Sequence, residues 1–402
     1  MHKYALIGIF IKLFLGSANY FAAKAMNSTC GDSMYTPDSA DMKKCLNGQT
    51  PFKKAFFVTF CNFFSLSFCI LIFLLFRRKK LDPAPYTRRN FLLMMIPGTA
   101  EAIAFCLATS AQILMALSLS MIMKGAKVVF SALFTTILFR TKLAAFKWVA
   151  VGICVAGLAL AGGSEYMNAK GDSATDIVIG LSMSLASEAL FAFQVIFDER
   201  MMKKKGVDVT FVVGMEGVYG TLILIPVVLL AWLVIPGSQG DSYENLPDTL
   251  HRVSNSPVII GLMTFYILDI FIVAMADATI TKYLSGVHSS LVSVGRTMVV
   301  WFLELVLYYA APLSISEQYG QKFGQYSPLK IVGFAIVVAA IFMYDATLRL
   351  PWLDYSSVSQ KPGAIPNKSS DATQSTASDQ ELEVKDMAME KEPTSDELPL
   401  AQ

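Results

Sequence analysis

Charge is scarce in this 402-residue chain: Asp, Glu, Lys and Arg make up 16% of it, against about 25% in ordinary soluble domains. What charge there is leans to neither sign, with 33 Lys and Arg against 31 Asp and Glu. That balance says nothing for nucleic acid, which is not expected as a partner, and the placement of charge along the chain is the informative quantity. Histidine is rarer still, at His2, His251 and His288, and neither these nor the scattered Cys residues have metal-ligand spacing. No glycine-rich phosphate loop of the ATPase type occurs, which argues against direct ATP-driven work. No nucleophile and base stand together, so an enzyme is not expected, and no cofactor is implied.

The chain is instead 54% hydrophobic. Its apolar runs reach about 18 residues or more, enough to cross a hydrocarbon core about 30 Å thick. The first run, Tyr4 to Ala23, follows His2 and Lys3 as a signal peptide would. It is too long for a signal core, is interrupted by Lys12 and lacks a small-residue cleavage pattern, so it is read as a retained helix. The expectation is an all-α membrane protein with ten transmembrane helices. Five are read at Tyr4 to Lys24, Phe56 to Phe76, Phe91 to Ser110, Leu114 to Phe139 and Phe146 to Gly163. Five more are read at Ala174 to Phe197, Phe211 to Ile235, Pro257 to Thr281, Val287 to Tyr309 and Ile331 to Leu348.

Residues 1–165 and 174–348 then form two five-helix repeats, with a loop at 25–55 in the first, and residues 349–402 form a polar tail. That tail is rich in Ser, Asp, Glu and Lys and too polar to bury a core, so disorder is expected there. Basic residues follow the second helix (Arg77, Arg78, Lys79, Lys80, Arg88, Arg89), the fourth (Arg140, Lys142) and the sixth (Arg200, Lys203, Lys204, Lys205). Basic loops stay cytosolic, which places both termini in the cytosol. The first loop should be lumenal, although Lys43, Lys44, Lys53 and Lys54 accompany its Asp32, Asp38 and Asp41. Cys30 and Cys45 lie in it, and their spacing leaves a disulfide and two free thiols both open. Asn27-Ser28-Thr29 matches the glycosylation acceptor pattern, close to the membrane.

Five helices per half makes the halves insert in opposite senses, an inverted 5+5 repeat. Lys124-Gly125-Ala126-Lys127-Val128-Val129-Phe130 parallels Arg296-Thr297-Met298-Val299-Val300-Trp301. Val149-Ala150-Val151-Gly152-Ile153 parallels Lys330-Ile331-Val332-Gly333-Phe334, with small residues that permit close helix packing.

Gly16-Ser17-Ala18-Asn19 with Ala23-Lys24, Met123-Lys124-Gly125-Ala126 and Phe193-Gln194 with Asp198-Glu199 give the chain a distinctive set of marks. Glu216-Gly217-Val218-Tyr219-Gly220, Thr281-Lys282 and Arg296-Thr297-Met298-Val299-Val300-Trp301 complete it. In this order they resemble the drug/metabolite transporter superfamily, specifically solute carrier family 35, nucleotide-sugar-transporter-like, group F, from about Leu15 to Asp345. The resemblance implies ten helices in an inverted repeat, a central cavity reached alternately from two sides, and an endomembrane home, lysosomal, endosomal or Golgi. It does not imply a substrate. The chain departs from the relatives in having Lys124 where Arg is usual, and Ser293-Val294-Gly295 before Arg296 where an acid often stands.

A cation near the bilayer centre costs about 2.5 to 3.5 kcal/mol on insertion scales, so it normally faces a partner or a cavity. Lys124 and Lys127 share a helix face, and Arg296 is the repeat counterpart of Lys124. These three are candidate ligands for an anionic part of a substrate, with Asn19, Gln194 and Glu216 as further lining. Glu101, Glu188 and Asp269 lie at similar depth, and Glu188 and Asp269 are candidate proton-coupling groups. For each residue, simple interhelical pairing is the alternative. The expected partners are a small-molecule substrate and the lipid bilayer, with homodimerisation and tail-binding partners left open. Nucleotide sugars are the first substrate class, amino acids or peptides the second, and a non-transporting scaffold acting through the tail is the alternative of another class.

Overall fold

The computed structural model describes residues 3–35, 45, 49–78, 81, 83–114, 117–139, 143–166, 174–237, 239–310, 312, 320 and 322–353. The polar tail beyond Leu353 lies outside the described residues, as do Asp38, Asp41, Lys43, Lys44, Lys79, Lys80, Arg140, Lys142, Lys170 and Asp172. Helix α1 spans Lys3–Ser28, and α2 spans Ala55–Ile72 with a π turn at Phe73–Arg77. Then come α3 (Arg88–Leu93), α4 (Met95–Leu114), α5 (Leu117–Phe139) and α6 (Ala145–Tyr166). The second half holds α7 (Ala174–Lys204), α8 (Val209–Leu233), α9 (Leu246–Asn255), α10 (Pro257–Tyr283), α11 (Gly286–Ala310) and α12 (Ser327–Tyr344).

Eight helical segments among the described residues are long and apolar enough to cross a bilayer: Lys3–Ser28, Ala55–Arg77, Arg88–Ala111, Val178–Lys204, Val209–Leu233, Pro257–Tyr283, Gly286–Ala310 and Ser327–Tyr344. Helix α5, which carries Lys124 and Lys127, is not among them, and the apolar part of α6, Ala145–Ala161, is shorter than the rest. The outer surface is apolar, with Phe10, Leu75, Leu233 and Phe302 all exposed, as suits lipid rather than water.

Without water to drive helices together, close backbone approach does the packing. Gly214, Gly217 and Gly220 put the bare face of α8 against Ile70, Ser67 and Phe63 of α2, and a Cβ on Gly217 would run into the backbone of Leu66 and Ser67. Across α6 and α12, a Cβ on Gly157 would stand 2.8 Å from the Gly333 carbonyl oxygen, and one on Gly333 2.6 Å from the Gly157 oxygen. Gly152, expected from its sequence match to Gly333 to pack closely, has nothing within 4 Å. Gly157, with Ala161, beside Gly333 makes the contact instead.

Helix α2 packs on α8, α6 on α12 and α5 on α11. Helix α1 packs on α10 and α11, α7 on α4 and α5, α2 on α10, and α8 on α4. Exchanging α1, α2, α4, α5 and α6 with α7, α8, α10, α11 and α12 in order maps these pairs onto one another, whereas α7 also packs on α8, α10 and α11 with no comparable contact of α1 on α2, α4 or α5 among the described residues.

One end of the bundle is closed by a polar cap. Cys30–Gly31 (β1) pairs antiparallel with Thr50–Pro51 (β2), and Cys30 and Cys45 are disulfide-bonded with Cα atoms 5.8 Å apart. The amphipathic α9, not anticipated from sequence, starts where the Asn245 side chain accepts from the Asp248 N–H at 3.1 Å. Asp248 Oδ2 forms ion pairs with Lys54 Nζ at 2.8 Å and Arg252 Nε at 2.8 Å, with all three side chains buried. Arg252 also donates to the Thr50 carbonyl at 3.1 Å and lies over the Tyr35 ring. Glu244 accepts from the Phe56 and Phe57 N–H groups at 2.9 and 2.7 Å, satisfying the open start of α2. The apparent excess of Lys in the first loop is thus answered in part by a carboxylate on α9.

Two predictions attach to the cap. The disulfide closes a loop of sequence separation 15, so Cys45→Ser should destabilise the cap by about 3 kcal/mol, read as faster proteolysis between Cys30 and Thr50. Burial by itself would raise the Asp248 pKa, but the Lys54 hydrogen bond, the Met34 N–H and the Arg252 charge hold it below the usual carboxylate range. Such a group stabilises the fold above its unfolded pKa of about 3.9 and loses that contribution as pH falls through the lower folded value. Amide exchange at Met34 and Thr50 should therefore stay slow down to about pH 4 and quicken below it; quickening already near pH 6 would contradict the assignment.

Candidate functional site

Lys12 sits in α1 where apolar neighbours would otherwise be continuous, and it is only 3% exposed. Its ammonium donates to the Asp277 carboxylate of α10, and to the Ser289 carbonyl and hydroxyl of α11 at 2.8 and 2.9 Å. The Ser289 hydroxyl in turn donates to Asp277. A buried ammonium needs its charge answered and its three hydrogens accepted, and this arrangement does both while tying three helices together. The sequence reading took Lys12 only as an interruption of an apolar run and passed over Asp277.

Deeper along α11, the Arg296 side chain lies against α1 at Gly16, where a Cβ would stand 2.9 Å from Arg296 Cδ and 3.1 Å from Nη1. The glycine of the Gly16-Ser17-Ala18-Asn19 mark therefore leaves room for the guanidinium. Arg296, Lys124 and Lys127 all lie within electrostatic reach of Glu188 on α7, and Arg296 also faces Asp277, Asp269 and Tyr266. Lys127 Nζ stands 5.4 Å from the Phe191 ring centre, a cation–π contact that keeps the charge directed toward α7. Lys124, Lys127, Arg296 and Glu188, named from sequence, thus come together, and Lys12 with Asp277 joins them.

The other expected lining residues have partners of their own. Asn19 donates to the Tyr266 carbonyl at 3.4 Å, joining α1 to α10, and Asp269 is buried beside it. Gln194 Nε2 donates to Asp198 Oδ2 and to Glu216 Oε1, each at 2.6 Å. Gln194 and Glu216 therefore form one group with Asp198 of α7, which was expected to lie just past that helix. It lies inside because α7 continues to Lys204, its last turn carrying Lys203 and Lys204 where cations suit the helix dipole. Glu199 Oε1 accepts from Lys203 Nζ at 2.8 Å and Glu199 Oε2 from the Gly286 N–H at 2.7 Å. Lys24, of the Ala23-Lys24 mark, pairs with Glu304 at 3.1 Å. Asn27 is exposed in the last turn of α1.

A helical bundle with paired glycine seams and a charged interior is the setting in which comparison with known proteins becomes informative. The profile of the Triose-phosphate Transporter family matches residues 41–322, more than half of the chain. The chain belongs to the triose-phosphate transporter family. This family member is 24% identical over 363 residues to human Solute carrier family 35 member F6, covering 86% of this chain and 90% of that one. It is 23% identical over 360 residues to the rat protein of that name, covering 86% and 90%. The relationship to solute carrier family 35, group F, anticipated from the sequence marks, is thereby supported over most of the chain. A solved crystal structure aligns with a TM-score of 0.50 at 15% identity, covering 86% of this chain and 98% of that one, a likeness of fold alone. The triose-phosphate transporter family member is a multi-pass membrane protein and a membrane solute transporter.

Proposed function

We propose that the chain is a secondary transporter that carries an anionic small solute across an endomembrane by alternating access. Residues 1–165 and 174–348 are its two five-helix halves, inverted with respect to each other and giving ten spans, and residues 349–402 are a cytosolic tail. The exchange of the principal helix pairs supports this reading, since two inverted halves repeat their main contacts or place them on a common axis.

The observation that carries the substrate class is the meeting of Arg296, Lys124 and Lys127 on one carboxylate, Glu188. Cations gathered on helices from both halves, sharing Glu188, Asp277, Asp269 and Glu101 between them, suit a phosphate or carboxylate that arrives with the substrate. Nucleotide sugars fit this description. Asp269, buried beside Asn19, favours the second reading, an amino acid or peptide whose ammonium it would accept.

The test is thermal unfolding of the purified chain in the presence of a panel of nucleotide sugars, amino acids and short peptides. A true ligand raises the unfolding temperature with concentration, because it binds only the folded state. The proposal expects the shift from an anionic solute, lost in Arg296→Ala. A shift from an amino acid, lost in Asp269→Asn and kept in Lys124→Ala, would favour the second reading.

A further inference from the structure

We propose that Asp198 and Glu216 form a proton-binding site of the transport cycle, holding one proton between their carboxyl groups. The proposal deepens the transporter reading and rests on it for its place in the cycle, though not for the existence of the site.

Asp198 of α7 and Glu216 of α8 are 4% and 5% exposed. Gln194 spends both hydrogens of its amide on them, one to Asp198 Oδ2 and one to Glu216 Oε1, each at 2.6 Å. The shared amide holds the two carboxyl groups side by side, within electrostatic reach of each other. Two carboxylates have only acceptors, so a hydrogen bond between them forms when one of the pair carries a proton. Asp198 Oδ1, buried, meets no donor among the described residues, which leaves it in want of a hydrogen.

The described groups that face the pair are mostly acidic. Glu101 faces the pair from α4 and Asp277 faces Glu216 from α10. Cys69 faces Glu216 from α2. From α5, Lys127 acts on Glu101. Neither Asp198 nor Glu216 forms an ion pair with a described cation. Glu188, the candidate expected from sequence, has three cations about it and serves better as their counter-ion.

The site connects to the central cations through Asp277, which faces Glu216 and holds Lys12. When α7 and α8 lie close, the carboxyls share the proton. When they part and water enters, each is hydrated separately and the proton leaves to that water. The negative charge left behind then acts on the Lys12 and Asp277 pair, which coupled titration through a shared neighbour permits.

The experiment is infrared spectroscopy of the purified full chain in lipid at neutral pH, comparing wild type with Asp198→Asn, Glu216→Gln and Glu188→Gln, alongside dye-reported proton release on an alkaline jump. Each of the first two variants keeps an acceptor for Gln194. The protonated-carboxyl carbonyl band should be present in wild type and in Glu188→Gln. Both Asp198→Asn and Glu216→Gln should lose the shared-proton component of that band and release one proton per chain fewer. A band and a proton count unchanged in both variants would overturn the proposal, as would an equal loss in Glu188→Gln. Because neither readout needs flux, a chain that moves no solute but loses the band in these variants would overturn the transporter reading and leave the proton site standing.

Discussion

Asp277→Asn should lower the stability of the purified chain by about 3 to 5 kcal/mol, the usual cost of leaving one member of a buried ion pair unanswered. The change spares the shape of the side chain and removes the charge that Lys12 meets at the junction of α1, α10 and α11. Lys12→Leu should destabilise comparably. The double variant Lys12→Leu with Asp277→Leu should recover much of the loss, since an apolar pair of similar volume often serves as well as a buried ionic one. Thermal and denaturant unfolding of wild type, Lys12→Leu, Asp277→Leu and the double variant, treated as a double-mutant cycle, measures this. Losses that simply add would show that the two residues do not act as a pair.

Gly217→Val should be nearly as damaging through a different cause. Its added atoms meet the backbone of α2 at Leu66 and Ser67, and a backbone cannot turn aside as a side chain can. Overpacking of this kind costs about 1 to 3 kcal/mol and sometimes more, and here it falls on the seam between α2 and α8. The expected result is a large fall in correctly assembled protein on size-exclusion chromatography. Gly152→Ala, with open space at its Cβ, should behave as wild type.

Much of this was legible in the sequence because lipid makes strong demands. A segment such as Pro257–Tyr283 must be long, apolar and helical to cross, and its hydropathy announces it. Arg296 and Glu188 stood out because each charge in such a segment requires an explanation. Lys12 was obscured because near the chain start it served only as an interruption that argues against a signal core, and Asp277 by its closeness to the end of α10. Their pairing depends on which helices adjoin, which periodicity along one helix does not report. Asp198 was lost for a related reason: α7 was ended at Phe197 where charged residues begin, yet those charges lie in its final turns. The cap helix α9 did carry a signal, Asn245 ahead of Leu246-Pro247-Asp248, an N-cap with Pro in the first turn, but its short length hid it among loop residues.

The central claim is that cations from both halves meet a solute that the chain moves. The direct measurement is uptake into proteoliposomes of radiolabelled nucleotide sugars, amino acids and peptides by wild type, Lys124→Ala, Arg296→Ala and a chain ending after Val358. The account predicts saturable uptake of an anionic solute, kept without the tail and lost in both cation variants while they remain folded. Uptake unchanged in both cation variants, or a chain that moves none of the solutes and loses its cellular function with its tail, would contradict it.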